Sequence, residues 1–227
     1  MNPDLTAFID EISWFFQEKD TVEIEEKSFD FSADFKLIFP KLTRLIESAR
    51  KTHLRINNIP HILFAWNNMT GEIFGWLNKI ESLESFPIQL SKEHKLLLQN
   101  IGGIQESFNQ PEDSLTNNQN FMFIGSECNR GIGAWDEYYK EVCNEEKIEP
   151  LNHSNLIRFV EEANGNMTLY DSTSNDILLF ASDHCFDYVK PVAGQPEYTF
   201  YQYDSIATFT DYVEKLAGEW MAENANS

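Results

Sequence analysis

Candidate transition-metal ligands in this 227-residue chain are the thiols and imidazoles of Cys128, Cys143, His153, His184 and Cys185. A structural zinc site needs four such donors at short, paired spacings. These residues match no such ligand set, there is no His-Glu-x-x-His, and Cys143 falls on the apolar face of an expected helix, where a cysteine packs as a small hydrophobe. Nucleophilic catalysis would need a serine or cysteine on a strained turn with a histidine in reach. Gly125-Ser126 follows an expected strand, and His184 with Asp183 or Asp187 could supply a base, but the Gly-x-Ser-x-Gly elbow is absent. Gly131-Ile132-Gly133 opens a helix where a phosphate-binding loop would. Asp136 stands in place of the third glycine, and Asp136 with Glu137 in the first turn satisfies the helix dipole and repels a phosphate. Asp171 to Asp176 begins like a calcium loop, with Asp176 where the turn glycine belongs and Ser182 where the bidentate glutamate belongs, so it reads as a hairpin turn. The residues therefore point to no catalytic group, no metal and no cofactor.

What remains is a mixture of carboxylates and large aromatic rings. Trp135, Asp136, Glu137, Tyr138, Tyr139, Glu141, Glu161 and Glu162 are the expected partner-binding residues, with Glu145, Glu146, Glu149, Tyr198, Tyr201 and Tyr203 adding to the same character. Aromatic rings supply anchor area in a protein interface, while carboxylates speed encounter with a cationic partner and reject wrong ones. The whole chain supports this with 37 acidic against 17 basic residues, a net charge of −20. Direct nucleic-acid binding is excluded on the same ground, because it needs clustered Lys and Arg to neutralise phosphates. The imbalance is uneven: residues 1–85 hold 14 acids and 9 bases, residues 86–227 hold 23 and 8.

The elements that must position these residues follow from periodicity. Leu5, Phe8, Ile9, Ile12, Phe15 and Phe16 predict an amphipathic helix over about 3–18, and Pro40 with Leu42, Leu45 and Ile46 a second. Between them Thr21 to Phe31 fits a short strand or extended linker. Ile62–Trp66 and Ile73–Trp76 flank a turn and predict a hairpin, with helix as the competing form. Ser91 caps a helix through Leu96–Leu98 that Gly102-Gly103 stops. Phe121–Ile124 predicts a strand, and Ile132, Trp135, Tyr138, Tyr139, Val142 and Cys143 a helix over about 133–145. Leu156–Val160, Met167–Tyr170 and Ile177–Phe180, separated by turn residues, predict an antiparallel meander. Ile206 to Trp220 repeats the helical spacing, beginning near Ser205. No basic leader precedes an apolar stretch at the N-terminus and no run approaches ~20 apolar residues. Three cysteines form no disulfide framework, so a cytoplasmic chain with no membrane contact is expected. Residues 1–85 read as an N-terminal helical extension with a possible hairpin and 86–227 as an α+β domain; neither indicates an oligomeric state.

Over residues 86–223 the chain resembles the SUKH superfamily, which joins bacterial immunity proteins to yeast cell-wall-synthesis regulators. The resemblance lies in Leu90-Ser-Lys-Glu-His-Lys-Leu-Leu-Leu98 with Ile101-Gly-Gly-Ile104, Phe121-Met-Phe-Ile124 and Gly131-Ile-Gly-Ala-Trp135. It continues through Leu156-Ile-Arg-Phe159 with Asn164-Gly165-Asn166, Asp171 after a strand, Phe180 to His184, and Ile206 to Trp220. The first 85 residues and the insert from Glu141 to Pro150 depart from the family core. The resemblance implies a mixed sheet with an antiparallel meander flanked by helices. It also implies a non-enzymatic protein that binds a cognate toxin, commonly a nuclease, and blocks its active site; the charge balance adds that this toxin should be basic. It carries over no catalytic residues. An alternative within the family is a regulatory scaffold that binds several proteins, and a third reading, outside it, is a hydrolase using Ser126 or His184.

Overall fold

The computed structural model describes residues 2–86, 88–112, 114–183 and 188–224. His184, Cys185 and Asp187 lie outside them. The elements run α1 (Pro3–Glu11), β1 (Val22–Glu25), α2 (Ala33–Ile38), α3 (Pro40–Ser48), β2 (Arg50–Ile56), β3 (Ile59–Asn67), β4 (Ile73–Lys79), α4 (Lys92–Ile101), β5 (Gly103–Phe108), β6 (Gln119–Met122), β7 (Asn129–Arg130), α5 (Asp136–Glu146), β8 (Leu156–Glu162), β9 (Met167–Asp171), β10 (Ile177–Phe180), β11 (Val189–Pro191), β12 (Phe200–Tyr203) and α6 (Phe209–Glu223). The strands form one sheet in the order β1-β2-β3-β4-β5-β6-β8-β9-β10-β12-β11, with β7 also on β8.

The α+β class holds, and every described pairing is antiparallel where a mixed sheet was expected. The reason is connectivity. Parallel neighbours need a long crossover, whereas here β2–β3, β3–β4, β8–β9 and β9–β10 are joined by short turns, and the longer connections β1–β2 and β4–β5 also return the chain antiparallel. Asn57 and Asn58, both at positive φ, make the two-residue turn between β2 and β3. The ladder passes from β4 to β5 across residue 86 without a break, with α4 packed over that connection.

Three local differences from the sequence reading have physical causes. α1 ends at Glu11, and Phe15 and Phe16 reach Phe8 from a following turn, with ring centroids 5.7 and 5.9 Å away; their helical spacing is met without a helix. α6 begins at Thr208 and not at Ser205, because Thr208 and Asp211 form a reciprocal capping box. The stretch expected as strand to Ile124 leaves the sheet at Phe123, whose φ is 66° and whose N–H bonds to the Phe159 carbonyl.

Helices pack on both faces of the sheet. On one lie α2, α3, α4 and α6, over a core in which Trp66, Trp76 and Trp220 meet at centroid distances of 4.8–5.7 Å. The Trp66 indole donates to the Leu45 carbonyl at 2.9 Å. The opposite face is covered at its two ends only: α1 packs on Leu54, Leu63 and Leu77, and α5 packs on Leu156, Leu169 and Phe180. Gly102 ends α4 as expected, and its φ of 74° and the approach of the Lys79 carbonyl, 2.4 Å from where a Cβ would stand, leave no room for another residue.

Within the tryptophan-side core His94 is fully buried, stacked on Phe209 at 4.9 Å. Its Nε2 lies 2.8 Å from the Phe123 carbonyl and its Nδ1 3.3 Å from the Tyr170 hydroxyl, which itself accepts from the Ser91 N–H at 3.1 Å. Neutral imidazole satisfies this arrangement, and burial holds the ring's pKa down to about 4. The unfolded chain therefore binds a proton that the folded chain refuses, so the stability present above the ordinary histidine range is lost as pH falls toward 4. Urea unfolding between pH 7.5 and 4.5 is expected to show this loss at up to about 1.4 kcal/mol per pH unit, and His94→Gln is expected to remove that component of the slope.

Candidate functional site

The expected partner-binding residues centre on α5 and on the β8–β9 hairpin. Gly131 and Gly133, at φ of 68° and 59°, turn the chain out of β7 into a single 3₁₀ turn at Gly133–Trp135, and α5 continues from it. α5 has no side-chain cap at its start, and Asp136 and Glu137 sit in its first turn against the helix dipole. It ends at Lys147 in the left-handed conformation, with the Ile148 N–H bonded to the Cys143 carbonyl at 2.8 Å.

Tyr139 and Cys143 form the inward edge of α5 and are fully buried. This corrects the expectation for Tyr139. Its hydroxyl donates to the Gln195 side-chain oxygen and accepts from the Leu151 N–H at 2.7 Å, tying two loops to the helix, and burial pushes the phenol pKa up. It is a structural pin with no surface to offer a partner. Tyr201 is likewise buried, its hydroxyl accepting from the Tyr198 N–H at 2.7 Å.

Trp135 is half-buried, with its ring against Gly165 in the β8–β9 turn and its centroid 5.7 Å from Tyr138. Tyr138 is half-buried and donates to the Tyr198 carbonyl at 3.4 Å, and Tyr198 is exposed. Trp135 and Tyr138 form an aromatic pair, tied to the backbone at Tyr198. Asp136 is engaged within the chain: it accepts from Lys140 and lies 3.0 Å from His153 Nε2, and these contacts hold its carboxyl below the usual range.

Glu161 and Glu162 do not act together. Glu161 shares the α5 face, one register row with Phe121 and Met167, and pairs with Arg158, whose guanidinium lies 5.8 Å from the Phe121 ring centroid. Glu162 is on the other face, under α6, where it accepts from Asn166 Nδ2 at 3.2 Å and influences the Tyr203 and Tyr212 phenols. Consecutive strand residues point to opposite faces, so the adjacency in sequence separates them in space.

Along the outer edge of α5, Glu137, Glu141 and Glu145 stand exposed four residues apart, and none has an ion pair among the described residues. Like charges at this spacing oppose the helix by about 0.2–0.5 kcal/mol per pair. Packing of Tyr139 and Cys143 holds the stripe in place against that local cost.

The other sequence candidates fall apart from one another. Ser126 and Gly125 donate their N–H groups to the Glu81 carboxylate, at 3.3 and 2.7 Å, and Lys79 donates to Ser126 Oγ at 3.3 Å. The turn that resembled a nucleophile elbow is a backbone anion nest already filled by Glu81, a residue the sequence reading did not single out. Cys128 is buried with its thiol donating to the Ile124 carbonyl at 3.3 Å, and burial pushes its pKa up. His153 sits on Asp136. No three His, Cys, Asp or Glu side chains gather as a metal set among the described residues. Asp171 accepts from the N–H groups of Thr173 and Ser174 at 2.7 and 2.9 Å, closing the expected hairpin turn. No helix is long and apolar enough to cross a membrane among the described residues.

Comparison with protein-family models, with curated proteins and with solved structures finds no match for this chain. The site therefore stands on its own chemistry. If the α5 stripe is held against its own repulsion, Glu141→Lys converts two repulsive pairs into attractive ones. Urea unfolding in low salt is expected to show a gain of about 0.5–1 kcal/mol, shrinking as salt is raised.

Proposed function

We propose that this chain is a non-enzymatic binding protein of the immunity type, which docks on a cationic protein toxin and occludes its working surface. The observation that carries the reading is the α5 edge, where Glu137, Glu141 and Glu145 stand exposed with no ion pair among the described residues, on the helix that carries Tyr138 and follows Trp135. Such a combination suits a basic protein. The carboxylates supply long-range steering and select against other partners, and the rings supply desolvated contact area once the partner has docked. The net charge of −20 points the same way, with 23 of the 37 acids carried by residues 86–227. That the partner is a toxin rests on the SUKH resemblance, and the mechanism needs no reacting group: a cleft that binds phosphate is itself cationic, and a rigid acidic surface seated in it competes with the substrate.

The test is co-expression with the cationic C-terminal module of a toxin encoded beside this chain. Growth is expected to be rescued by the wild-type protein and lost with the triple variant E137K/E141K/E145K, and the association rate of the purified pair is expected to fall several-fold between low and physiological salt. Rescue that survives the triple variant overturns the assignment to α5. Stable binding to several unrelated proteins with no rescue overturns neutralisation in favour of a scaffold role.

A further inference from the structure

The sheet is open, so its order ends in two strands, β1 and β11, that each have a neighbour on one side only. An edge strand leaves a row of backbone N–H and C=O groups without hydrogen bonds, and pairing with a strand of another chain satisfies them. Which residues form that row follows from the register. The Asn57 N–H donates to the Thr21 carbonyl at 3.0 Å, and bonded pairs recur at every second residue of an antiparallel ladder. Glu23 with Arg55 and Glu25 with His53 are then the pairs bonded to each other, and the N–H and C=O groups of Val22 and Ile24 point away from β2.

The two edges are finished differently. At β11 the Asp204 N–H donates to the Tyr188 carbonyl and the Val192 N–H to the Phe200 carbonyl, so Val189 and Pro191 are the outward residues, and Pro191 has no N–H to offer. β1 contains no proline, and its outward groups have no hydrogen-bond partner among the described residues. Ile24 is 54 % exposed on the α1 face, in one row with Leu54, where a chain laid along β1 would cover it. Glu23 is exposed on the opposite face and, like Glu26, has no ion pair among the described residues.

We propose that the outer edge of β1 is a second docking surface, on which an extended segment of a partner protein adds a strand with apolar residues opposite Val22 and Ile24 and a lysine or arginine opposite Glu23. This surface lies at the end of the sheet covered by α1, apart from α5, and does not rest on the α5 reading. Charge selects the occupant, because opposite charges across a ladder stabilise it and like charges directly opposite destabilise it. A second copy of this chain that continued the sheet with matched faces would set Glu23 against Glu23 or Glu25 of the other β1, so the edge rejects itself. Glu25 is already shared between Lys27 and Arg55, which leaves Glu23 and Glu26 to meet incoming cations.

The added strand also has room to continue. β2 runs back to Arg50, three residues beyond the His53 that faces the last residue of β1. Past Glu25 the chain turns away and leaves a groove of about 510 Å³ beside Ile24, Glu26, Thr52 and Asn2. An apolar side chain following the one opposite Ile24 enters that groove, and a basic one on the other face reaches Glu26. Alternating apolar and basic residues in an extended segment therefore match the edge side chain by side chain, while the backbone bonds hold the register.

Amide hydrogen exchange read by NMR on the intact protein, at pH 7 and physiological salt, tests this with acetyl-Lys-Val-Lys-Val-Lys-Val-Lys-amide as the probe. The Val22 and Ile24 amides are expected to exchange freely in the protein alone and about ten-fold more slowly with the peptide. The same peptide built with N-methylvaline, equal in charge and unable to donate along the edge, is expected to protect neither. I24P, which removes an outward N–H and leaves the β1–β2 bonds in place, is expected to abolish binding, and E23K, which leaves the backbone untouched, to weaken it about five-fold. If I24P does not fold, E23K and the exchange data decide. Equal affinity for the N-methylated peptide, binding by E23K equal to wild type, binding that leaves Val22 and Ile24 unprotected, or no binding at all overturns the edge. Each of these outcomes leaves the α5 reading standing, because that reading is judged by growth rescue with the E137K/E141K/E145K variant.

Discussion

A strand shows alternate side chains to opposite faces, and in a single antiparallel ladder running from β1 to β11 that rule assigns the residues of the described strands to one of two environments. The row Asn78, Ile104, Met122, Val160, Thr168 faces α4 and α6, and the neighbouring row through Leu77, Glu106, Phe121, Glu161 and Met167 faces α1 and α5. Bulges in β5, β6 and β8 adjust the count where two residues of one strand oppose one of the next. A slip of one residue would bury Glu161 under α6 and expose Val160.

The two faces have different chemistry because they are covered to different degrees. The α4 and α6 side is sealed by a core of tryptophan and phenylalanine rings, and His94 within it is held neutral with both ring nitrogens hydrogen-bonded within the chain. The α1 and α5 side is sealed at the ends and open between, so polar residues there remain in contact with water or half-buried without partners. Carboxylates on this side are stabilised neither by burial nor by pairing at Glu137, Glu141 and Glu145, and a cationic surface would relieve all of them at once. The larger core lies on one face, and the unpaired carboxylates of α5 lie on the other.

Much of the framework was legible in the chain. Ser91, Gly102, Asn164-Gly165 and the Asp171–Asp176 turn act as their residue types require, and the α5 and α6 periodicities locate both helices to within a few residues. β2 was missed although Arg50 to Ile56 alternates and Asn57-Asn58 marks a turn, because the neighbouring helical stripe took precedence. β5, β11 and β12 are short or bulged and have little pattern of their own; pairing with neighbours distant in sequence makes them strands.

Sequence alone determined the fold class, the sign and uneven distribution of charge, and the burial of Cys143, because composition and local periodicity are properties of short stretches. Only the tertiary structure decided that Tyr139 is a pin and not an anchor, that Glu161 and Glu162 part company, that Glu81 fills the turn before β7, and that β1 ends the sheet with one side open. Each of these depends on which strand lies alongside which and on what covers the resulting face, and that is set by contacts between residues far apart in the chain.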